Sequence, residues 1–156
     1  MKIEGNAICL GPDIDTDLII AGRYLRTKDH TVWVSHIFED LDLDLGKRLN
    51  GSVIIAGKNF GCGSSREQAA VALKGAGVKA VIAPGFARIF FRNGINIGLP
   101  LIECECKCKE GADVICYPET GALLIDGVEF HFEPLSDRIL AILKSGGLLQ
   151  YIKANQ

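Results

Sequence analysis

No segment of this sequence is long and apolar enough to cross a bilayer. The longest apolar runs, such as Val78 to Phe86, are broken by Lys79 and Pro84 and fall short of the roughly 18 residues that a spanning helix needs. No charge of one sign dominates: 17 Lys and Arg stand against 19 Asp and Glu, so there is no cationic excess to neutralise the phosphates of a nucleic acid. The opening residues, MKIEGNAICLG, lack a long apolar core followed by a small-residue cleavage site. Nothing marks the chain for export, and the cytoplasm is the expected location. Repeats and low-complexity stretches are missing as well. The expectation is a soluble chain that binds neither membrane nor nucleic acid.

What is present suits one domain over residues 1–156. With 156 residues and 48% hydrophobic content, such a chain buries roughly two-thirds of its unfolded surface. The six cysteines could form three disulfides, but in an unexported chain with ample apolar content they are expected to stay reduced and fill the core. Eighteen glycines, dispersed among apolar segments, exceed the average usage of about 7% and indicate tight turns between short elements.

Residues Ile3 to Leu10 form a strand pattern that Gly11 and Pro12 interrupt. The polar, weakly periodic segment DIDTDLIIAGRYLRTKDHT then reads as a long loop, followed by a short helix in which Val34, Ile37, Phe38 and Leu41 have helical spacing. SVIIAG from Ser52 is a buried strand, and KNFGCGSSREQAAVALKGAG supplies a glycine loop and a helix. VKAVIAP, GFARIFFRNG and LPLIECE repeat the pattern, with Asn93 and Gly94 closing the helix. Two successive units of this kind favour parallel strands joined by helical crossovers and covered on both faces. After Gly111, ADVICY, ALLID and VEFHF read as antiparallel hairpins separated by PETG and the Asp126-Gly127 turn. Ser136 can cap a last helix striped by Ile139, Leu140, Ile142 and Leu143, which Gly146 and Gly147 end, and LLQYIK is expected to pack back. The fold class is α/β: a parallel βαβ core plus antiparallel hairpins.

The most informative stretch is GCGSSRE, residues 61–67, where a strand gives way to a helix. Helix N-terminal amides carry partial positive charge, glycines let a ligand approach the backbone, and Arg66 can grip a carboxylate with two parallel bonds. A plainer reading is equally compatible with the spacing, because Ser64 to Glu67 spells the SxxE capping box. Arg66 tips the choice: a cation at a helix start opposes the helix dipole and points to an anionic partner. The dinucleotide pattern would need glycine at Arg66, the phosphate loop a GKS or GKT ending, and the hydrolase elbow GxSxG matches neither serine.

Asp13, Asp15 and Asp17 resemble the start of a calcium loop but lack its glycine and closing glutamate. Cys104, Cys106 and Cys108 alternate and so share one face. Zinc and iron-sulfur spacings separate cysteines by two or more residues, so these three are expected to be structural and no metal is assigned to the chain. His36 and His131 fall in regular elements. His30 lies in the polar loop and is the one histidine placed to face a ligand, but none of the three stands out as a base.

The order DIDTDLIIAGRYL, then NFGCGSSREQA some forty residues later, then AVIAPGFARIFFRNGINIGLP, resembles the small subunit of the aconitase-like hydro-lyases over nearly the whole chain. This family includes the small subunits of homoaconitase and of isopropylmalate isomerase (3-isopropylmalate dehydratase). The resemblance implies a swivelling β/β/α domain and a large-subunit partner, in a heterodimer or heterotetramer, whose own cysteines hold a [4Fe-4S] cluster. This chain would bind no cofactor, would close over a small-molecule carboxylate substrate, and would be inactive alone.

Carried onto this sequence, the resemblance makes Ser64 the base that removes a proton from the carbon beside a carboxylate and Arg66 the residue that binds the carboxylate. Ser65 would add hydrogen bonds, and Asp17 would position groups around the reacting centre. Substrate choice would rest on the loop after Tyr24 and Leu25. Arg26 there suits the extra carboxylate of homocitrate or homoaconitate, whereas an isopropyl group favours an apolar neighbour, and Thr27 would add a hydrogen bond. The reading is therefore homoaconitase, converting homocitrate to homoisocitrate through cis-homoaconitate. The alternatives are isopropylmalate isomerase and, without catalysis, an anion-binding regulatory module. The loop over about residues 17–33 is expected to be mobile without the large subunit.

Overall fold

Strands whose residues are apolar without alternation must be covered on both sides, and the two such runs here lie side by side within the parallel half of the sheet, away from its edges. β2 (Ser52–Ile55) and β3 (Ala80–Ala83) are buried at every position. β1 (Ile3–Cys9) lies parallel to β2, and β4 (Leu101–Glu103) lies parallel to β3 at one edge. β5 (Asp113–Tyr117), β6 (Ala122–Ile125) and β7 (Val128–His131) form an antiparallel meander joined to β1 through β5. The result is a seven-stranded mixed sheet in the order β4-β3-β2-β1-β5-β6-β7. Asp126 and Gly127, with φ of 48° and 80°, make the tight turn between β6 and β7 that an Asp-Gly pair favours. The computed structural model describes every residue, Met1–Gln156.

One face of the sheet carries the helices: α1 (Thr16–Ile19), α2 (His30–Ser35), α3 (Glu67–Gly75), α4 (Arg88–Asn96), α5 (Asp137–Ser145) and α6 (Leu148–Ala154). Ile54, Val81 and Leu101 from the sheet meet Phe38, Phe60, Leu73, Phe90 and Leu143 in the larger core on this face. α5 follows its sequence signals: the Ser136 hydroxyl accepts the Ile139 N–H at 3.2 Å, and Gly146 ends the helix at φ 92°. Leu148 and Tyr151 of α6 pack back against the core. The other face is covered without helices. Residues 104–112 leave edge strand β4 and run back to β5, and Cys104, Cys106 and Cys108 all pack on the cluster built from Val53, Ile82, Val114 and Leu123.

Four expectations are corrected. The six cysteines are not all free, because Cys9 and Cys108, 99 residues apart, form a disulfide. The Ala7 N–H donates to Ala112 O and the Gly111 N–H to Ala7 O, both at 2.8 Å, so the returning segment lies beside the end of β1. Cys62, Cys104, Cys106 and Cys116 remain thiols, and burial pushes those of Cys106 and Cys116 up to about 12. The segment after Pro12 is not one long loop: it holds α1, a 3-10 turn over Gly22–Tyr24 and α2. The helix expected around Val34 to Leu41 lies earlier, and Leu41 is exposed. α4 continues through Gly94 to Asn96, because a glycine there lets the helix lie against Leu101.

The early end of α2 turns on Phe38, which is fully buried although its backbone is left-handed at φ 57°. Its N–H donates to Ile19 O at 2.8 Å, and its ring belongs to the larger core, so side-chain burial and this bond hold a conformation a bulky residue otherwise avoids. Phe38→Ala is expected to lower the unfolding free energy by about 3–5 kcal/mol, read from denaturant midpoints. A loss below about 1 kcal/mol would show that the ring does not anchor this turn.

Candidate active site

Three loops leave the carboxyl ends of β1, β2 and β3 and meet above them, the crevice in which parallel sheets commonly bind ligands. The first carries DIDTD. The Asp13 N–H donates to Lys58 O at 2.9 Å, the Gly61 N–H to Ile14 O at 2.8 Å and the Thr16 N–H to Cys62 O at 2.8 Å, so residues 13–16 lie along residues 58–62 of the second loop. Thr16 is 1% exposed, and its hydroxyl donates to Ser64 O at 2.8 Å. Gly63, at φ 91°, lies where a Cβ would run into the Asp15 carboxylate, so only glycine permits this approach. The third loop joins through the Phe60 N–H to Gly85 O at 3.2 Å and the Ala87 N–H to Phe60 O at 2.9 Å.

The three loops enclose a cavity of about 240 Å³ lined by Thr16, Ser64, Ser65, Arg66, Arg88 and Phe90, among others. Ser64 and Ser65 are exposed, and neither hydroxyl bonds to another protein group. α3 starts at Glu67 with Arg66 at its N-cap in extended conformation and without a side-chain cap. Ser64 and Glu67 therefore form no capping box: the serines stand outside the helix, and its first amides have no side-chain partner.

Arg66 has an anionic partner within the chain. Its Nη1 donates to Asp17 Oδ1 at 2.8 Å and reaches Ile20 O at 3.4 Å. The Gly22 N–H donates to the same Asp17 oxygen at 2.9 Å. The guanidinium first, and this amide second, hold the Asp17 carboxyl below its usual range. Burial, and the nearby Asp15 and Asp13 carboxylates, push the Cys62 thiol up, so it is protonated near neutral pH and no nucleophile.

Of the residues read from the sequence, the structure thus gathers Ser64, Ser65 and Arg66 at one cavity, with Asp17 tied to Arg66. Arg26 and Thr27 do not line it. They lie just beyond an anchored corner: the Tyr24 hydroxyl donates to Glu39 Oε2 at 2.7 Å, its ring stacks on His36 at 4.1 Å, and the Trp33 indole N–H donates to Tyr24 O at 3.1 Å. Arg26 is exposed and makes no ion pair, and the Thr27 hydroxyl accepts the Asp29 N–H at 3.0 Å. His30 stacks on Trp33 at 4.7 Å. Sequence reasoning missed Thr16 and Arg88. The signal for Arg88 was the one used for Arg66, an arginine at a helix start after a glycine turn.

No group of three or more His, Cys, Asp or Glu side chains is gathered closely enough to hold a metal ion. Comparison with known proteins adds the lineage. Residues 14–105 match the aconitase C-terminal domain. The chain is 48% identical to the 3-isopropylmalate dehydratase small subunit of Pyrobaculum islandicum, over 99% of each chain. It is 46% identical to the methanogen homoaconitase small subunit of Methanothermobacter thermautotrophicus, over 96% of this chain and 89% of that one. A crystal structure of 3-isopropylmalate dehydratase from Methanocaldococcus jannaschii superposes with a TM-score of 0.93 at 43% identity, covering 99% of this chain and 95% of that one.

The Asp17 carboxyl, lowered from 3.8 by Arg66, stabilises the fold above that ordinary value, and its contribution is lost as the pH falls through the lowered one. Side-chain carbon-13 titration of the aspartates should find Asp17 below the ordinary range, and Arg66→Gln should return it upward. An ordinary Asp17 in the unaltered chain would contradict the ion pair.

Proposed function

The chain belongs to the aconitase C-terminal domain family, and from that premise we propose how it works as the small subunit of a hydro-lyase of the 3-isopropylmalate dehydratase and homoaconitase type. The observation that carries the mechanism is the pair of free serine hydroxyls beside Arg66, at a helix start whose amides have no side-chain cap.

Isomerisation of a 2-hydroxy carboxylate removes a proton from one carbon and hydroxide from its neighbour, then returns them exchanged. Ser64 takes the proton on its Oγ. A serine hydroxyl is a poor base at neutral pH, so its alkoxide form needs stabilisation, and the α3 amides and the Arg66 charge supply it. Arg66 holds the carboxylate beside the reacting carbon with the guanidinium nitrogens that Asp17 leaves free, and Asp17 fixes the plane of that guanidinium. Ser65 donates a second hydrogen bond.

The cavity, about 240 Å³, is smaller than the roughly 300–1,000 Å³ of a complete small-molecule pocket, which suits one wall of a shared site. The large subunit supplies the other wall, in a heterodimer or heterotetramer. The cysteines of this chain do not fit a [4Fe-4S] cluster: Cys104 and Cys106 face the sheet, and Cys108 is bonded to Cys9. We assign the cluster to the large subunit, where it would supply a Lewis acid for the leaving hydroxyl.

Substrate choice rests on the segment after Tyr24. Arg26, exposed and unpaired, suits the extra carboxylate of homoaconitate, and Thr27 can donate its hydroxyl proton beside it. Isopropylmalate is the second reading, favoured by the names of the similar chains, among which 3-isopropylmalate dehydratase recurs more often than homoaconitase. Within residues 17–33, the part free to move on closure is Arg26 to Lys28, between Leu25, which packs on the larger core, and Asp29, which caps α2.

Anaerobic hydration by this chain with its cluster-loaded large subunit, followed on cis-homoaconitate and isopropylmaleate in parallel, tests the reading. Turnover should require both subunits and favour cis-homoaconitate; preference for isopropylmaleate would reject the role of Arg26. Ser64→Ala should cut kcat by at least about 10³-fold while leaving assembly intact, and near-normal turnover would remove Ser64 as the base. Hydrogen exchange of the isolated chain should be fast over residues 26–28 and slowed by the partner, whereas strong protection in the isolated chain would contradict a moving segment.

A further inference from the structure

A second arginine at the Ser64 cavity has no role in the mechanism above. Arg88 is the first residue of α4, exposed, and lines the same cavity as Ser64, Ser65 and Arg66. The two guanidinium groups differ in their surroundings. Arg66 is matched by the Asp17 carboxylate at 2.8 Å, whereas Arg88 enters no ion pair and no side-chain hydrogen bond. No acidic side chain lines the cavity. Arg88 is therefore the charge there that the chain itself leaves unbalanced.

The base of Arg88 is rigid. Ala87 before it donates its N–H to Phe60 O at 2.9 Å, and Phe90 after it is buried against Phe60, with ring centroids 5.4 Å apart. Gly61, at φ 82°, leaves no room for a Cβ beside the Phe90 ring, so the start of α4 packs directly on the serine loop. A dicarboxylate or tricarboxylate carries at least two negative charges near neutral pH, and the Arg66–Asp17 pair brings no net charge to meet them. We propose that Arg88 is a substrate-binding residue that takes a second carboxylate of the substrate beside the one held by Arg66. The proposal rests on the hydro-lyase reading of this site. It also accounts for an arginine at an uncapped helix start, where only an anion offsets its conflict with the helix dipole.

The test uses the complete two-subunit enzyme and both substrates, cis-homoaconitate and isopropylmaleate. Arg88→Gln should raise KM for both by about 10- to 100-fold with kcat changed less than about threefold, and Arg88→Lys should recover part of the loss. Arg92→Gln removes the same charge one turn along α4 from a residue outside the cavity and should leave KM within about twofold. Three results would overturn the proposal: an unchanged KM in Arg88→Gln, an equal rise in Arg92→Gln, or weakened subunit assembly with normal KM once the large subunit is saturating. Inactivity of the unaltered assembly on both substrates would instead overturn the reading of the site, and the role of Arg88 with it.

Discussion

Two loops that leave adjacent parallel strands, β1 and β2, are zipped together by backbone hydrogen bonds from Asp13 to Cys62, and the buried Thr16 hydroxyl closes the zip on Ser64 O. Joined, they bury Ile14, Thr16 and Phe60 and leave the next residues, Ser64 and Ser65, facing outward. Gly63 marks the tightest point, because the Asp15 carboxylate fills the space a side chain would need. A polar contact specifies a site in this way when its buried groups are all satisfied, since the alternative arrangement leaves them unpaired.

Charge follows from the same docking. It carries Asp17 to Arg66, and the Gly22 N–H adds a second hold on the carboxylate, so the first arginine of the cavity comes oriented and neutralised. The Phe60, Phe86 and Phe90 cluster draws α4 to the same place and brings an arginine without a counterion. The site is thus a wall built on strand ends, with two arginines and two serine hydroxyls free of protein partners, which is the arrangement the proposed reading requires. One wall suits a subunit that works against a partner, and Arg26 lies outside the cavity, in the segment between the anchors at Tyr24 and Trp33.

Much of this was legible in the sequence. Apolar runs without alternation around Ser52–Ile55 and Ala80–Ala83 marked buried parallel strands, the Asp-Gly pair marked a hairpin, and Ser136 and Gly146 bounded α5. The alternation of Cys104, Cys106 and Cys108 correctly put them on one face. The failures share a cause, the use of local spacing where distant contacts decide. Val34, Ile37, Phe38 and Leu41 have helical spacing, but the bond from Phe38 to Ile19 O and the burial of its ring turn the chain out of the helix. At Ser64 the SxxE spacing alone fitted a capping box; Arg66 argued against it, and Thr16 holds the Ser64 carbonyl in a loop before the helix begins.

The sequence by itself determined the class of fold, because burial on two faces, on one face or on a helical stripe leaves a different local pattern of apolar residues. It also determined the chemical vocabulary of the site, two serines and an arginine at a helix start, because those residues are neighbours in the chain. Tertiary structure alone decided which partners they have. Asp17 and Arg66 are 49 residues apart, Cys9 and Cys108 are 99 apart, and Arg88 reaches the serine loop through an aromatic cluster. Such pairings depend on the order of strands in the sheet and on which loops leave the same end. No local periodicity encodes that order, because it is set by the packing of the whole chain.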